Sequence, residues 1–300
     1  MKIGPKCEIS TIIDVLPEHI EVGAESFLAD GIYLGGPLLH RGIVTTRKTR
    51  LSGGTFIGNH AVIPAGQSLP ANILIGISTV ADESQIESGQ SWFGHPSFEI
   101  PRREIVECDR KLTHEPGLLR YARRFAWEAA RFALPVVPML LAILWFVTVS
   151  LFSSVTAVGF WFLVMPLIGI GIGITLTTTV LLLKWSLIGR VKPGHHALWS
   201  SWCSRWDFVY VAWSKLASRV LSSFEGTPLL PWYLRAMGVG IGKNVILGRG
   251  FAQVVDPDML HFEDGATVNG MFQAHSFEDR VLKIDRVRVR KRATLKSASV

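Results

Sequence analysis

An uninterrupted apolar run is the feature that most restricts how this chain can fold. Residues 132–183 are 52 consecutive positions without Asp, Glu, Lys, Arg or His. A helix rises about 1.5 Å per residue and a hydrocarbon core needs about 20 residues per crossing, so the run is long enough for two crossings. We expect membrane helices over 132–152 and 155–183, joined by a tight turn at Ser153 and Ser154.

Basic residues flank this run on both sides. They are Arg120, Arg123, Arg124 and Arg131 before it, and Lys184, Arg190 and Lys192 after it. The positive-inside rule therefore places both ends of the hairpin in the cytoplasm. A buried helix pair in a soluble protein is the alternative, but core helices are rarely apolar on every face over such a length. We predict a multi-pass protein of the cell (plasma or inner) membrane, with its soluble parts on the cytoplasmic side.

The charge and cysteine content narrow the possible partners. The net charge of +7 comes from the juxtamembrane segments and from a basic cluster at 286–292. A surface that faces anionic lipid accounts for the juxtamembrane charge, so we expect a lipid bilayer and no nucleic acid among the partners. Cys7, Cys108 and Cys203 are far apart and lack the spacing of a metal site, so we expect neither a disulfide framework nor a bound metal.

A six-residue period runs through the first hundred residues. Aliphatic residues occupy every sixth position in two runs, Val22, Leu28, Leu34 and then Leu51, Ile57, Ile63, Leu69, Ile75. Such a hexapeptide repeat is typical of a left-handed parallel β-helix of triangular section, in which the aliphatic residue points into the prism and three hexapeptides form one coil.

The same period returns near the C-terminus, at Ile241, Leu247, Phe262, Val268 and Ala274. Asp14 and His19 of the first region recur there as Asp256 and His261. We interpret the two soluble parts as copies of one unit that are incomplete at opposite places. A cut prism would expose apolar ends, so we expect the chain to be part of a longer protein with further copies on both sides.

The predicted fold class is mainly β with a membrane α-hairpin: two left-handed parallel β-helix units flank two transmembrane helices. The predicted segments are a first β-helix unit (1–100), a juxtamembrane amphipathic segment (101–131), the hairpin (132–183), a Trp-rich interfacial helical segment (184–235) and a second β-helix unit (236–300). Trp199, Trp202, Trp206 and Trp213 share one face of a predicted helix. That face forms either a belt at the headgroup level or a packing surface against the β-helix.

Several stretches resemble a known family. They are FLADGIYLGGP at 27–37, GNHAVIPAG at 58–66, WFGHP at 92–96 with PRRE at 101–104, and DPDML at 256–260. These motifs resemble the C-terminal membrane region of nonribosomal peptide synthetases of the ε-poly-lysine synthetase type, over nearly the whole chain. The resemblance implies upstream adenylation and carrier domains, followed by membrane spans that alternate with tandem soluble domains. In that family the tandem domains join aminoacyl units into an isopeptide chain.

The resemblance further implies an acyl or aminoacyl transfer that forms an amide. A carrier domain would deliver the phosphopantetheine-linked thioester, and an amine would attack it, so this chain itself would bind no cofactor. Upstream modules, the carrier thioester, lipid and further copies of the β-helix unit are the partners that it implies. A lysine side-chain amine, with a reference pKa of about 10.4, is almost wholly protonated at neutral pH, so the reaction needs a base, and histidine is the natural one.

The place of several residues in the six-residue repeat makes them candidate catalytic residues. His275 comes directly after Ala274 in the six-residue register, which places it at a corner of the prism, with Glu278 and Asp279 close enough in sequence to orient an imidazolium. Asp256 and His261 are candidates because both recur in the first copy.

Two further candidates, His40 and His60, lie beside the coils of the first copy. His195 and His196 follow Pro193 and Gly194 and indicate only a juxtamembrane turn.

Three functional hypotheses remain open. The chain is part of a membrane-anchored aminoacyl transferase, a scaffold that docks a carrier domain without chemistry, or a stand-alone hexapeptide-repeat acyltransferase that uses CoA. For each candidate histidine, the alternative to catalysis is a structural role at a corner of the coil.

Overall fold

The computed structural model describes residues 1–101, 106–152, 158, 160–270, 273–278 and 280–296. The chain forms two compact units, a first unit of residues 1–107 and a second unit of residues 108–300. The predicted turn at Ser153 and Ser154 and the candidate partner Asp279 lie outside the described residues.

The first unit is built of short strands, and successive strands of the coils belong to three different sheets in turn. In chain order they are β1 (Lys2–Ile3), β2 (Glu8–Ile9), β3 (Ile12–Val15), β4 (Ile20–Val22), β5 (Phe27–Leu28), β6 (Ile32–Leu34), β7 (Leu38–His40), β8 (Ile43–Thr45), β9 (Thr49–Leu51), β10 (Phe56–Ile57), β11 (Val62–Ile63), β12 (Ser68–Leu69), β13 (Leu74–Ile75), β14 (Ser91–Phe93) and β15 (Phe98–Glu99), with a 3-10 helix at Pro17–His19. The sheets are β1-β4-β9-β12, β2-β5-β10-β13-β14-β15 and β3-β6-β11. Neighbouring strands in them are parallel, except for the antiparallel pair β14-β15.

The six-residue spacing explains this arrangement. Six residues carry the chain from one sheet to the next, so equivalent aliphatic residues of successive coils meet within one sheet. Leu28 is paired with Ile57, and Ile57 with Ile75. All three side chains are buried, and they belong to a core of aliphatic residues that fills the space between the sheets. The mainly parallel strands agree with the predicted winding, while its left-handed sense stays a prediction.

The second unit contains a smaller set of the same kind of strands. They are β16 (Gly194–Ala197), β17 (Gly240–Ile241), β18 (Ile246–Leu247), β19 (Leu260–Phe262), β20 (Thr267–Val268), β21 (His275–Glu278), β22 (Val281–Ile284), β23 (Val287–Val289) and β24 (Thr294–Leu295), with a 3-10 helix at Pro257–Met259. Sheets β17-β19-β23 and β18-β20-β24 are parallel. A third sheet, β16-β22-β21, is antiparallel.

The two units repeat the same succession of elements, as the sequence comparison predicts. In each, a 3-10 helix that begins with proline, Pro17–His19 or Pro257–Met259, leads directly into a buried strand. In each, an antiparallel hairpin, β7-β8 or β21-β22, interrupts the coils at the corresponding place. The first hairpin is exposed, whereas β22 is buried in the second unit, because helices and β16 cover that hairpin.

Helices make up the rest of the second unit. They are α1 (Arg110–Thr113), α2 (Leu118–Ala133), α3 (Val136–Phe152), α4 (Met165–Leu187), α5 (Ser201–Ala212), α6 (Ser218–Ser222) and α7 (Leu229–Met237), with π-helical turns at Phe160–Val164 and Trp213–Ala217. Ser200 begins α5 because its side chain accepts the backbone N–H of Cys203 at 3.1 Å. Gly238 ends α7 in the left-handed conformation, with φ at 115°.

Two helical stretches are long and apolar enough to cross a membrane. They are Arg110–Phe152 and Trp161–Leu187. Within the most apolar 18-residue stretch of each, only 6% and 11% of the stretch is buried. They include most of the two predicted spans. Most of the apolar surface of these helices is thus exposed, although Leu176 and Val180 near the end of α4 belong to the core of the second unit.

The Trp-rich face packs inward, as the second of its two interpretations predicts. Trp213 is buried, and its indole N–H donates to the carbonyl of Ala252 at 2.8 Å. The side-chain amide of Gln253 donates to the carbonyl of Tyr210 at 2.9 Å. These bonds attach α5 and the π-helical turn after it to the coil that precedes Asp256.

The core of the first unit generates a prediction about stability. Ile57 is fully buried between two paired aliphatic residues, so Ile57→Ala is expected to lower the free energy of unfolding by about 2–5 kcal/mol, through lost burial and an unfilled cavity. The matched control is Ile77→Ala in the next coil, because Ile77 is 50% exposed. Denaturant unfolding of the full chain, followed by circular dichroism, measures both. Equal losses in the two variants would contradict the assignment of this core.

Candidate functional site

The turn Asp256-Pro257-Asp258 forms the centre of the candidate site. Both aspartates are buried, at 2% and 7% exposure. Asp256 adopts the left-handed conformation, with φ at 53°, which is uncommon outside glycine although aspartate tolerates it. This backbone turn directs both carboxylates into the second unit, and burial of a carboxylate is costly unless it is paired or hydrogen-bonded.

Asp256 receives two hydrogen bonds from ring nitrogens. The indole N–H of Trp206, on α5, donates to Oδ1 at 2.8 Å. Nδ1 of His275, at the start of β21, lies 2.6 Å from Oδ2. Because a carboxylate only accepts, Nδ1 carries the proton of the neutral imidazole, and Nε2 keeps its lone pair. Asp256 therefore fixes His275 in the tautomer that a general base requires.

The surroundings of His275 restrict access to it. Its side chain is 10% exposed, and that of Asp256 is 0% exposed. The ring meets Trp206 edge-on, with centroids 5.3 Å apart. Within the described part of the chain, Nε2 has no hydrogen-bond partner. The geometry is that of a base held by an orienting carboxylate, with one narrow side open.

The predicted partner of His275 is corrected by the structure. Glu278 is at the far end of β21, and its carboxylate pairs with Nζ of Lys283 on β22 at 2.8 Å. The orienting carboxylate is Asp256, nineteen positions earlier in the chain. Two residues that were predicted separately as candidates, His275 and Asp256, are thus one pair.

His196 is a further member of this site that the sequence did not indicate. It lies in β16, a strand of the sheet and not a juxtamembrane turn, opposite Leu282, which in turn is opposite Phe277. Opposite residues of antiparallel strands share a face, and residues two apart share it too. His196 and His275 therefore project from the same sheet face, toward α5.

A tryptophan covers the ring of His196. The rings of His196 and Trp202 are stacked, with centroids 3.6 Å apart, and Trp202 precedes Trp206 by one helical turn on α5. Burial lowers the pKa of His196 below its ordinary value, and this effect outweighs the opposing attraction of the Asp256 carboxylate. His196 is consequently neutral at physiological pH.

Asp258 connects the site to the end of α4. Its Oδ2 lies 2.9 Å from Nζ of Lys184 and accepts the backbone N–H of Val191 at 3.0 Å. Both side chains of the ion pair are 2% exposed. A Cβ at Gly238 would lie 2.3 Å from the other carboxylate oxygen, so only glycine fits there. The buried acid thus holds the exit of α4 and the end of α7 together.

Two hollows are present in this unit. A cavity of 30 Å³ between α4, α5 and the Asp256 turn has room for water but not for an aminoacyl group. A groove of 380 Å³ is lined by residues of α7 and of the first coil, including Trp232 and Ile246. Its lining cation, Arg235, donates to the carbonyls of Ile241 and Gly242 at 3.1 and 3.0 Å. These two hydrogen bonds fix the guanidinium of Arg235 against the backbone.

The remaining candidates have surroundings of their own. His261 is on β19, where Nδ1 lies 3.4 Å from the carbonyl of Met259 and the ring packs on Gly240. In the first unit, His40 is on the exposed β7, and His60 is an exposed residue of a turn with φ at 56°. Asp14, the counterpart of Asp256, is exposed.

Among the described residues, no cluster of three or more His, Cys, Asp or Glu could hold a metal ion.

The ion pair of Asp258 generates a stability prediction. Asp258→Ala leaves Lys184 buried without its partner, so the free energy of unfolding is expected to fall by about 3–5 kcal/mol. In the double variant Lys184→Met with Asp258→Leu, most of that loss should be recovered, leaving about 1–3 kcal/mol for the unpaired Val191 N–H. Denaturant unfolding in detergent measures both. A double variant less stable than Asp258→Ala would contradict this account.

The burial of His196 generates a prediction about pH. The folded state holds the pKa of His196 below the ordinary value of 6.5, so it binds fewer protons than the unfolded state. The contribution of neutral His196 to stability is complete above pH 6.5 and is lost as the pH falls toward the folded pKa. The thermal midpoint of the wild type should therefore fall more than that of His196→Gln over this range. His40→Gln, on the exposed strand β7 of the first unit, is the control that should follow the wild type.

Comparisons with known proteins agree with part of the sequence interpretation. The chain is 32% identical over 295 residues, 96% of its length, to the Delta-poly-L-ornithine synthetase of Acinetobacter baumannii (strain AB307-0294). It spans 22% of the length of that protein. No protein-family model matches the chain, and no solved structure matches it.

Proposed function

We propose that the chain is the membrane-anchored part of a poly-amino-acid synthetase and that its second unit catalyses aminoacyl transfer. The reaction would form an amide between a carrier-bound thioester and an amine. The observation that carries this proposal is the pairing of His275 with Asp256, since it supplies an oriented base in a chain that is similar to a synthetase.

The proposed chemistry uses both nitrogens of His275. The acceptor ammonium first releases one proton to solvent, and Nε2 then accepts a second proton from the neutral amine as it attacks, while Nδ1–H stays bonded to Asp256, whose charge stabilises the imidazolium. The C–N bond forms, the C–S bond breaks, and Nε2 returns the proton to the departing thiolate. The thiol that results is a good leaving group because its pKa, about 8.5 for an ordinary thiol, is well below that of an alcohol.

The substrate class follows from the name of the relative. That protein is a synthetase of a polymer of ornithine, so we propose a diamino acid as the monomer here. The side-chain amine of such a monomer is protonated at neutral pH, since an alkylamine of this kind has a pKa of about 10.4. A base near the thioester therefore meets a need of this particular acceptor.

The remaining parts of the proposal concern the membrane and the partner domains. The two long apolar helices would cross the membrane, with the strand-built units as left-handed β-helices on the cytoplasmic side. A carrier domain would bring the phosphopantetheine-linked thioester to the open side of His275. Upstream adenylation and carrier modules and further copies of the β-helix unit would complete the assembly.

A scaffold without chemistry is the second candidate function, and one observation favours it. The Asp256–His275 pair is almost wholly buried, and the cavity beside it holds only 30 Å³. A pair of this kind also ties the hairpin β21-β22 to α5, which a carrier-docking surface would require.

Turnover of a small thioester distinguishes the two candidates. The full chain in lipid nanodiscs receives a pantetheine thioester of a diamino acid whose side-chain amine is blocked, together with the free diamino acid, and mass spectrometry quantifies the amide. The His275→Gln variant should lose about 10²–10⁴-fold in rate, the contribution typical of a general base. The Asp256→Asn variant should lose rate as well, because the orienting charge is gone.

His195→Gln is the matched control, because His195 neighbours His196 but lies on the opposite sheet face. It should keep the wild-type rate. A wild-type rate in His275→Gln would remove the assigned base, and retention of carrier binding without turnover would support the scaffold.

A further inference from the structure

Helix α2 carries all of its charged residues on one side. Its charged residues are Arg120, Arg123, Arg124, Glu128 and Arg131. Projected at about 100° per residue, they all fall within about 140° of the helix circumference, and an uncharged arc of about 220° remains on the other side. A partition of this kind is typical of a helix that lies at a boundary between two environments.

The charged side of α2 is docked on α5. Arg124 pairs with Asp207 and, at 2.9 Å, with Glu128. Trp127 packs on Phe208 with ring centroids 5.2 Å apart. These contacts involve the neighbours of Trp206 on α5, so they fix the rotation of α2 relative to the candidate site.

The opposite side of α2 is a stripe of large apolar residues. Leu118, Phe125 and Phe132 recur every seventh position and are 88%, 74% and 84% exposed. Docking on α5 leaves this stripe uncovered. Large contiguous apolar surfaces of this kind mark interaction sites.

Two observations identify lipid as the occupant. The stripe leads directly into α3, which begins at Val136 and exposes apolar residues along its length, so both surfaces face the same medium. Within the described part of the chain, Arg120 and Arg123 have no ion-pair partner. Arg123 lies at the edge of the uncharged arc, where its guanidinium can reach a headgroup phosphate while its stem contacts acyl chains.

We propose that α2 is a lipid-docking helix that lies in the surface of an anionic bilayer. Leu118, Phe125 and Phe132 enter the boundary of the acyl chains, and Arg120 and Arg123 contact anionic headgroups. Through Asp207 and its neighbour Trp206, the docked helix holds α5, and with it Asp256, at the membrane surface. The inference rests on the proposed membrane anchoring and is independent of the proposed chemistry.

Depth-dependent quenching tests this proposal on the full chain. In a background with Cys7, Cys108 and Cys203 replaced by serine, Phe125→Cys carries a bimane label in vesicles of phosphatidylcholine with phosphatidylglycerol. Lipids brominated on the acyl chain should quench this label several-fold more than a label at Arg249→Cys, an exposed position on a coil. Aqueous iodide should show the opposite order.

Lipid charge supplies the second measurement. Acyl-chain quenching at position 125 should decrease when phosphatidylglycerol is omitted, and Arg123→Gln should weaken the anionic preference about fivefold, the effect expected of one basic residue near the surface. If Phe125→Cys fails to fold, the same measurements are made on Phe132→Cys.

Equal iodide quenching at positions 125 and 249 would overturn the proposal. Protection from iodide without acyl-chain quenching would also overturn it, since a protein would then cover the stripe. Release of the chain from vesicles by alkaline carbonate would refute the membrane anchoring itself. This extraction is a separate measurement from the quenching of α2.

Discussion

The buried ion pair between Lys184 and Asp258 is the interaction on which the second unit depends. A charge removed from water is tolerated only with a partner, and this pair joins the last turn of α4 to the turn that begins a coil. Because Asp256 is two residues away across Pro257, the same turn also directs a second carboxylate into the helical layer. One constraint therefore positions both the end of an apolar helix and the acid that orients His275.

The two units share a succession of elements but differ in what covers it, which distinguishes the role of the coil from that of its surroundings. Both units have the proline-led 3-10 turn, the strand that follows it and the inserted hairpin. Among the described residues, α5 and β16 lie against that hairpin in the second unit, and there the aspartate is buried and bonded to a histidine. In the first unit, Asp14 is exposed. An oriented base thus requires the helical layer in addition to the repeat.

The candidate residues show how far sequence reasoning reaches. His275 and Asp256 were both predictable, the first from its place after the aliphatic register and the second from its recurrence. Their pairing was not, because nearness in sequence favoured Glu278, whose carboxylate instead meets Lys283 across the hairpin. His196 was passed over for a similar reason: proline and glycine before it indicate a turn, while its strand forms only by pairing with β22. Trp202 and Trp206, one helical turn apart on α5, contact the rings of His196 and His275, and their spacing was the sequence signal for these two contacts.

The sequence by itself determined the periodic and the compositional features of this protein. A six-residue aliphatic period requires strands that stack in register, and a 52-residue run without charge requires surroundings without water, whatever the rest of the chain does. Only the tertiary structure decided which carboxylate meets which histidine, and that the tryptophans pack inward. The physical reason is that periodicity is a property of neighbours along the chain, whereas a buried hydrogen bond depends on groups from distant segments that become close only when the helices cover the sheet.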